Sequence, residues 1–258
     1  MNYFHAFIFG LVEGASEFLP VSSTAHLMLT AKILGLGQTD FLKSFEIVIQ
    51  LGAILSVVVL YWKSFFIKFE ELKRVICAFI PTAVVGFVLY KFIKMFFMGD
   101  LRIVLAALFL GGIILILFEK VQKKENQTIA GISEIPYFKA VLIGLFQSLA
   151  VIPGVSRSAA TIVGGSLLGV ERKTIVEFSF LLAVPTMAAA TALDLLKNAK
   201  SFSPDQAGFL AVGFIASFVV AIACIRGLMA FVKNHSFVAF GVYRILAATL
   251  FWLFLMRS

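Results

Sequence analysis

Six stretches of this chain run for 16–20 residues without an Asp, Glu, Lys or Arg, at 47–62, 75–90, 103–118, 140–156, 178–193 and 206–225. A helix that crosses a bilayer needs about 20 predominantly apolar residues, and Lys or Arg at its ends can snorkel to the headgroups. Composition agrees. Of 258 residues 61% are apolar and 14% charged, and mean hydropathy is +1.02. Soluble domains run near a quarter charged, so there is too little polar surface here to clothe a water-soluble globule. The expected fold class is an all-α polytopic membrane protein, and a soluble enzyme or a disordered chain is excluded.

The net charge of +8 would point a soluble protein toward nucleic acid. Here the cations cluster at segment ends, at Lys63, Lys68, Lys73, Arg74 and at Lys120, Lys123, Lys124. That is the pattern of headgroup anchoring and topology control, so no nucleic-acid partner is expected. Cys77 and Cys224 stand alone in apolar stretches, without metal-ligand spacing, and read as buried thiols. The first segment lacks the basic start and small-residue cleavage site of a signal peptide and is expected to be retained.

The sequence matches itself at a constant offset of 134: Tyr3 with Tyr137, Phe4 with Phe138, Gly10 with Gly144, Leu11 with Leu145, Val21 with Val155, Ser22 with Ser156, Ala25 with Ala159 and Gly35 with Gly169. Pro20 and Pro153 match with a slip of one. Internal repeats of this kind are common in membrane transport folds. The chain is therefore expected to be a single membrane domain over 1–258, with repeats 1–118 and 137–258 joined by the polar loop 119–136. Each repeat opens with about a dozen apolar residues that run into a proline and a small polar cluster, FHAFIFGLVEGASEFLPVSST and FKAVLIGLFQSLAVIPGVSRS. Proline removes a backbone donor and disfavours helix just before it. Broken backbone at membrane depth is tolerated only inside protein or along a wet cavity. Both segments are expected to be re-entrant helix hairpins facing each other, each followed by three transmembrane helices, near 41–62, 75–93, 103–118 and 174–196, 206–232, 236–256.

With that count, loops 63–74, 119–136 and 226–235 share one side and carry nine Lys and Arg, against five in loops 91–102 and 197–205. The bias puts the first group in the cytoplasm. The first hairpin then enters from outside and the second from inside, as inverted repeats would.

Glu13 and Glu17 lie four apart, on one face of a helix, and a carboxylate at membrane depth is normally paired, metal-bound or beside water. Ser22, Ser23, Thr24 and His26 follow directly after Pro20, so nucleophile, base and metal ligand are all present within fourteen residues. In the second hairpin Arg157 is the only charge between Lys139 and Glu171, flanked by Ser156, Ser158 and Thr161. Its planar fork of donors suits phosphate oxygens, and a helix restarting after Gly154 would aim free amides at the same anion. Each feature also has a structural reading: hydroxyls that satisfy carbonyls freed by a helix break, and Arg157 paired with Glu13 or Glu17. Glu46, Gln50, Glu177 and Asp194 read as caps or interface charges, and His5 and His235 as interfacial.

GLVEGASEFLPVSSTAH and PGVSRSAAT resemble the two signatures of the bacterial undecaprenyl-diphosphate phosphatases of the bacitracin-resistance type, and FEIVIQLGAIL and EFSFLLAVPTMAAATALDL extend the similarity over nearly the whole chain. A departure is Ala25, where a glycine often precedes the histidine. The resemblance implies a hydrolase that recycles the lipid carrier of cell-wall synthesis at the outer face of the cytoplasmic (inner) membrane, with a long-chain isoprenoid diphosphate as substrate. It implies a divalent metal, Mg²⁺ or Ca²⁺, on Glu13 and Glu17, and leaves a homodimer open. By motif, Ser23 would be the nucleophile or its close neighbour, with Glu17 and His26 as acid/base or metal-organising groups, and direct attack by water stays open. Arg157, Ser156, Ser158, Thr161 and Ser22 would hold the phosphates. The alternative from another class is a secondary transporter or lipid flippase of the same architecture.

Overall fold

The computed structural model describes residues 1–37, 39–96, 100–122, 127–198 and 206–255, without the side chains of 90–96, 193–198 and 255. Lys123, Lys124, the side chain of Asp194 and most of loop 197–205 lie outside the described residues. The helices are α1 (Tyr3–Ser16), α2 (Ser23–Ile33), α3 (Asp40–Leu60), α4 (Trp62–Phe66), α5 (Phe69–Phe96), α6 (Leu101–Val121), α7 (Tyr137–Ser148), α8 (Arg157–Leu167), α9 (Arg172–Asn198), α10 (Ala207–Phe231) and α11 (Val238–Leu255). Among the described residues the only β feature is an isolated bridge from Ile129 to Val170, which pins the connecting loop to the end of α8.

The two broken segments are helix–turn–helix pairs, α1–α2 and α7–α8, and three long helices follow each. α3, α5, α6, α9 and α10 are long and apolar enough to cross a membrane. The helices outrun the uncharged windows: α5 begins at Phe69, before Glu70, Glu71, Lys73 and Arg74. Charges at a helix end reach water without breaking the hydrogen-bond ladder, so absence of charge marks the hydrocarbon and not the helix. The first crossing ends earlier than expected, because α3 stops at Leu60 and the short α4 follows. The sixth expected crossing, α11, has 18 residues and spans about 27 Å at 1.5 Å per residue, close to the hydrocarbon thickness.

Contacts between the halves are reciprocal. α1 packs on α10, α7 on α5, α6 on α11 and α3 on α9. Two repeat-related glycines make the first two contacts close. A Cβ on Gly10 would overlap the carbonyl oxygen of Gly213 in α10, and one on Gly144 would overlap that of Ala78 in α5. The largest apolar cluster joins the halves around Phe18, which meets Phe180 edge-on at 5.4 Å, and includes Ala159 and Ile162 of α8. The core thus sits behind the two hairpin tips and holds them together.

Candidate active site

The tip of the first hairpin is residues 17–22. α1 carries Glu13 to its last turn, fully buried, with neither carboxylate oxygen hydrogen-bonded. Glu17 follows one turn later at the break before Pro20, and both of its oxygens are engaged. Oε2 accepts the Ser23 hydroxyl at 2.5 Å, and Oε1 lies 3.3 Å from an Arg157 guanidinium nitrogen. Both partners of this ion pair are largely buried, with side-chain exposures of 11% and 5%. In low dielectric such a pair holds its geometry strongly.

Ser22 is the one non-glycine residue with positive φ among the described residues, at φ 70° and ψ 93°. Backbone held in such a region persists only where the surroundings over-determine it. The turn places the Ser22 carbonyl 2.8 Å from His26 Nδ1. A carbonyl only accepts, so Nδ1 bears the hydrogen and Nε2 of the neutral ring accepts from the Tyr243 hydroxyl at 2.7 Å. The two rings also stack, 5.6 Å apart and within 9° of parallel. Ser22 gives no side-chain cap to α2, so the first-turn amides of that helix are left to an anion or to water.

The second tip differs. Ser156 caps α8 by accepting the Ala159 amide at 3.2 Å. Ser158 donates to the Phe18 carbonyl at 2.9 Å, across to the first hairpin, and Thr161 donates to the Arg157 carbonyl at 2.9 Å. Ser158 and Thr161 are fully buried. Of the polar residues of this tip, Arg157 is the one that reaches the first tip's carboxylates. One nitrogen donates to the Ser179 carbonyl at 2.8 Å, another approaches Glu17, and Nε has no partner.

The structure therefore brings together Glu13, Glu17, Ser23 and Arg157, with Ser22 and His26 at the same turn. Ser156, Ser158 and Thr161 are placed close by, with their hydroxyls engaged by backbone. Ser23 is held by Glu17, whereas His26 is held by Ser22 and Tyr243. Glu46, expected as a cap or interface charge, lies in the second turn of α3 near Glu13 and has a buried oxygen without a partner.

Two residues escaped the sequence reading. Tyr243 has no signal in an aromatic-rich chain. Arg244 had one, the same that singled out Arg157: a lone charge in an apolar run. Arg244 is fully buried on α11 and donates to four carbonyls, Leu108 at 3.1 Å and Ala107 at 3.3 Å on α6, Pro20 at 3.2 Å and Gly154 at 3.1 Å. It ties the two tips to each other and to α6.

Five long apolar helices define a polytopic membrane protein, in which a hydroxyl held by a buried carboxylate, itself held by an arginine, lies between two broken helices. The model of the family described as bacitracin resistance protein BacA matches residues 6–250, and the chain belongs to that family. It is 53% identical over 246 residues to an undecaprenyl-diphosphatase of Aquifex aeolicus, covering 95% of this chain and 96% of that one. It is also 51% identical to an undecaprenyl-diphosphatase of Sulfurihydrogenibium, over 98% and 99% of the two chains, and 50% identical to one of Persephonella marina, over 99% and 100%.

Proposed function

We propose that this chain is a membrane hydrolase that removes the terminal phosphate of undecaprenyl diphosphate to give undecaprenyl phosphate. The Ser23–Glu17–Arg157 chain carries the mechanism. Glu17, 2.5 Å from the Ser23 hydroxyl, takes its proton as Oγ attacks the terminal phosphorus. The bond from that phosphorus to the bridging oxygen breaks, and undecaprenyl phosphate leaves with the electron pair. Water then hydrolyses the phosphoserine to inorganic phosphate, with Glu17 as its base. The unpartnered Nε–H of Arg157 and the uncapped first-turn amides of α2 supply donors for the phosphoryl oxygens. His26, with Nδ1–H on the Ser22 carbonyl and Nε2 accepting from the Tyr243 hydroxyl, has no free proton to give and instead fixes the turn that presents Ser23.

A divalent cation fits the donors present. Both oxygens of Glu13 are buried without a partner, and carboxylates are hard ligands that suit Mg²⁺ or Ca²⁺. Among the described residues no three His, Cys, Asp or Glu converge on one point, so Glu13 with Glu17 would hold the ion and the remaining ligands would be water and substrate phosphate. Bound there, the cation would neutralise diphosphate charge.

An apolar cavity of about 420 Å³ between α6 and α11, lined by Leu105, Phe109, Ala248 and Trp252 among others, supports the lipid side of this reading. Ala248 packs with Ala25 at the start of α2, so an isoprenoid chain lying there would lead to the reacting groups.

The inverted arrangement of the halves also belongs to this proposal. Tyr3 of α1 packs on Phe209 at the start of α10, whereas Tyr137 of α7 lies under Arg74 near the start of α5. α10 and α5 are the second long helices of the two halves, and they start from opposite ends if the halves are inverted. The loop-charge bias supports an opening of α1–α2, and a site, on the outer face of the bacterial cytoplasmic membrane. A flippase would use the same frame but has no need of a serine on a buried carboxylate. Single-turnover phosphate release from detergent-purified protein tests the mechanism: Ser23→Ala should be nearly inactive at unchanged thermal stability. Retention of more than about a tenth of wild-type turnover would leave water activated by Glu17 as the better mechanism.

A further inference from the structure

At the end of the bundle where α3 and α10 finish and α9 begins lies a second cavity, of about 400 Å³, which shares no residue with the site above. Its floor is Leu60, Ile225 and Met229. Its rim is Lys173, Arg226 and Lys233, with Tyr61 and Glu177. The rim cations differ from their neighbours at this end. Lys68 pairs with Glu71, Lys73 and Arg74 with Glu70, and Arg172 with Glu119, at distances between 2.5 and 2.8 Å. Among the described residues Lys173, Arg226 and Lys233 form no such close ion pair, and the carboxylate facing Lys173 is the cavity's own Glu177. Three unpaired cations and one carboxylate around an apolar floor leave a net positive concavity where the bundle meets the headgroup layer.

We propose that this cavity is a binding site for the phosphate headgroup of an anionic membrane glycerophospholipid. Lys173, Arg226 and Lys233 hold the phosphate, and Leu60, Ile225 and Met229 take the first carbons of the acyl chains. The apolar floor selects a lipid over a free anion, because a soluble phosphate would leave that surface wet. Charge complementarity selects an anionic headgroup over a zwitterionic one, whose quaternary amine would face the same three cations. By the loop-charge bias this is the cytoplasmic end, where anionic lipids and juxtamembrane cations meet.

The test is native mass spectrometry of the full-length protein in detergent, titrated with phosphatidylglycerol or phosphatidylcholine of matched chains. Wild type should prefer phosphatidylglycerol. Each of Lys173→Gln, Arg226→Gln and Lys233→Gln should weaken that lipid about fivefold, and the triple variant should abolish the preference. Glu177→Gln should act in the opposite direction, tightening phosphatidylglycerol about threefold to fivefold, an effect no misfolded protein would give. Lys73→Gln, at the same end but paired with Glu70, should change nothing. The proposal is overturned if the triple variant keeps the preference, if Glu177→Gln does not tighten binding, or if millimolar inorganic phosphate displaces the lipid from wild type.

Discussion

Glu13 and Gln147 occupy the same place in the two hairpins, 134 residues apart, and their surroundings could hardly differ more. Gln147 is 1% exposed, and its amide donates to the hydroxyls of Thr82 and Thr186, each at 3.0 Å. Glu13 is 0% exposed, no hydroxyl or amide donates to either oxygen, and its side chain meets the Glu17 carboxylate. The tips that follow repeat the contrast. Ser156 caps α8, while the related Ser22 leaves α2 uncapped and takes a positive φ. A buried polar group without a partner is costly unless a ligand completes it. Apart from Arg157 Nε, the polar groups of the second tip are met within the protein, whereas Glu13 and the start of α2 in the first are not. The two hairpins share a sequence pattern at one offset, yet their polar groups are met in different ways.

If that division is right, the largest losses should come from the first tip. Ser23→Ala and Glu17→Gln should each lower single-turnover phosphate release by about a thousandfold or more, in protein of matched thermal stability. Exchanging the paired residues should come next. Glu13→Gln gives the first hairpin the neutral amide of the second, and should lower turnover about a hundredfold while weakening its dependence on added Mg²⁺ or Ca²⁺ in a titration after EDTA treatment. The reverse change, Gln147→Glu, should leave the site's groups in place but put a carboxylate among the Thr82 and Thr186 hydroxyls, lowering stability by about 2–4 kcal/mol in a melting assay. If Gln147→Glu is as stable as wild type, the second hairpin is not the closed structural copy described above.

Arg157 belongs to the structural hairpin and works in the reactive one, so it should give an intermediate effect. Arg157→Lys keeps the charge but cannot hold Glu17, the Ser179 carbonyl and a phosphate oxygen together, and should lower kcat/KM about 10- to 100-fold. A variant with normal kcat/KM would make this residue a point charge. Smallest of all should be Ser156→Ala. Loss of the α8 cap should lower stability by about 1 kcal/mol with turnover within about twofold of wild type. A large fall in turnover there would return Ser156 to phosphate binding, the role its motif implied.

Most of the frame was legible because lipid imposes a simple rule on it. Uncharged runs bounded by charged residues mark most of the long helices, and Pro20 and Pro153 mark the two breaks. Glu17, Ser23 and Arg157 stood out because polar groups at that depth have few structural uses. What each hydroxyl does was not legible. Ser158 reaches Phe18, 140 residues away, and Tyr243 reaches His26, 217 residues away. Such pairings are set by how the halves close on each other, and local spacing carries no trace of them. The motif around Arg157 reads as four phosphate donors, yet its three hydroxyls bond to backbone: Ser158 donates to a carbonyl of the first tip, Ser156 accepts an amide of α8, and Thr161 donates one turn back in its own helix.

Arg244 carries a consequence for how this chain is made. It lies on α11, which follows the other ten described helices in order of synthesis, yet it donates to Pro20 and Gly154 in the turns of both hairpins and to two carbonyls of α6. A nascent chain that has inserted everything up to α10 holds both turns with those carbonyls unmet inside the bilayer, where an unmet backbone group is most unfavourable. Neither half can settle on its own. The centre therefore closes only when the last helix is in place, because one guanidinium from it satisfies a carbonyl in each turn.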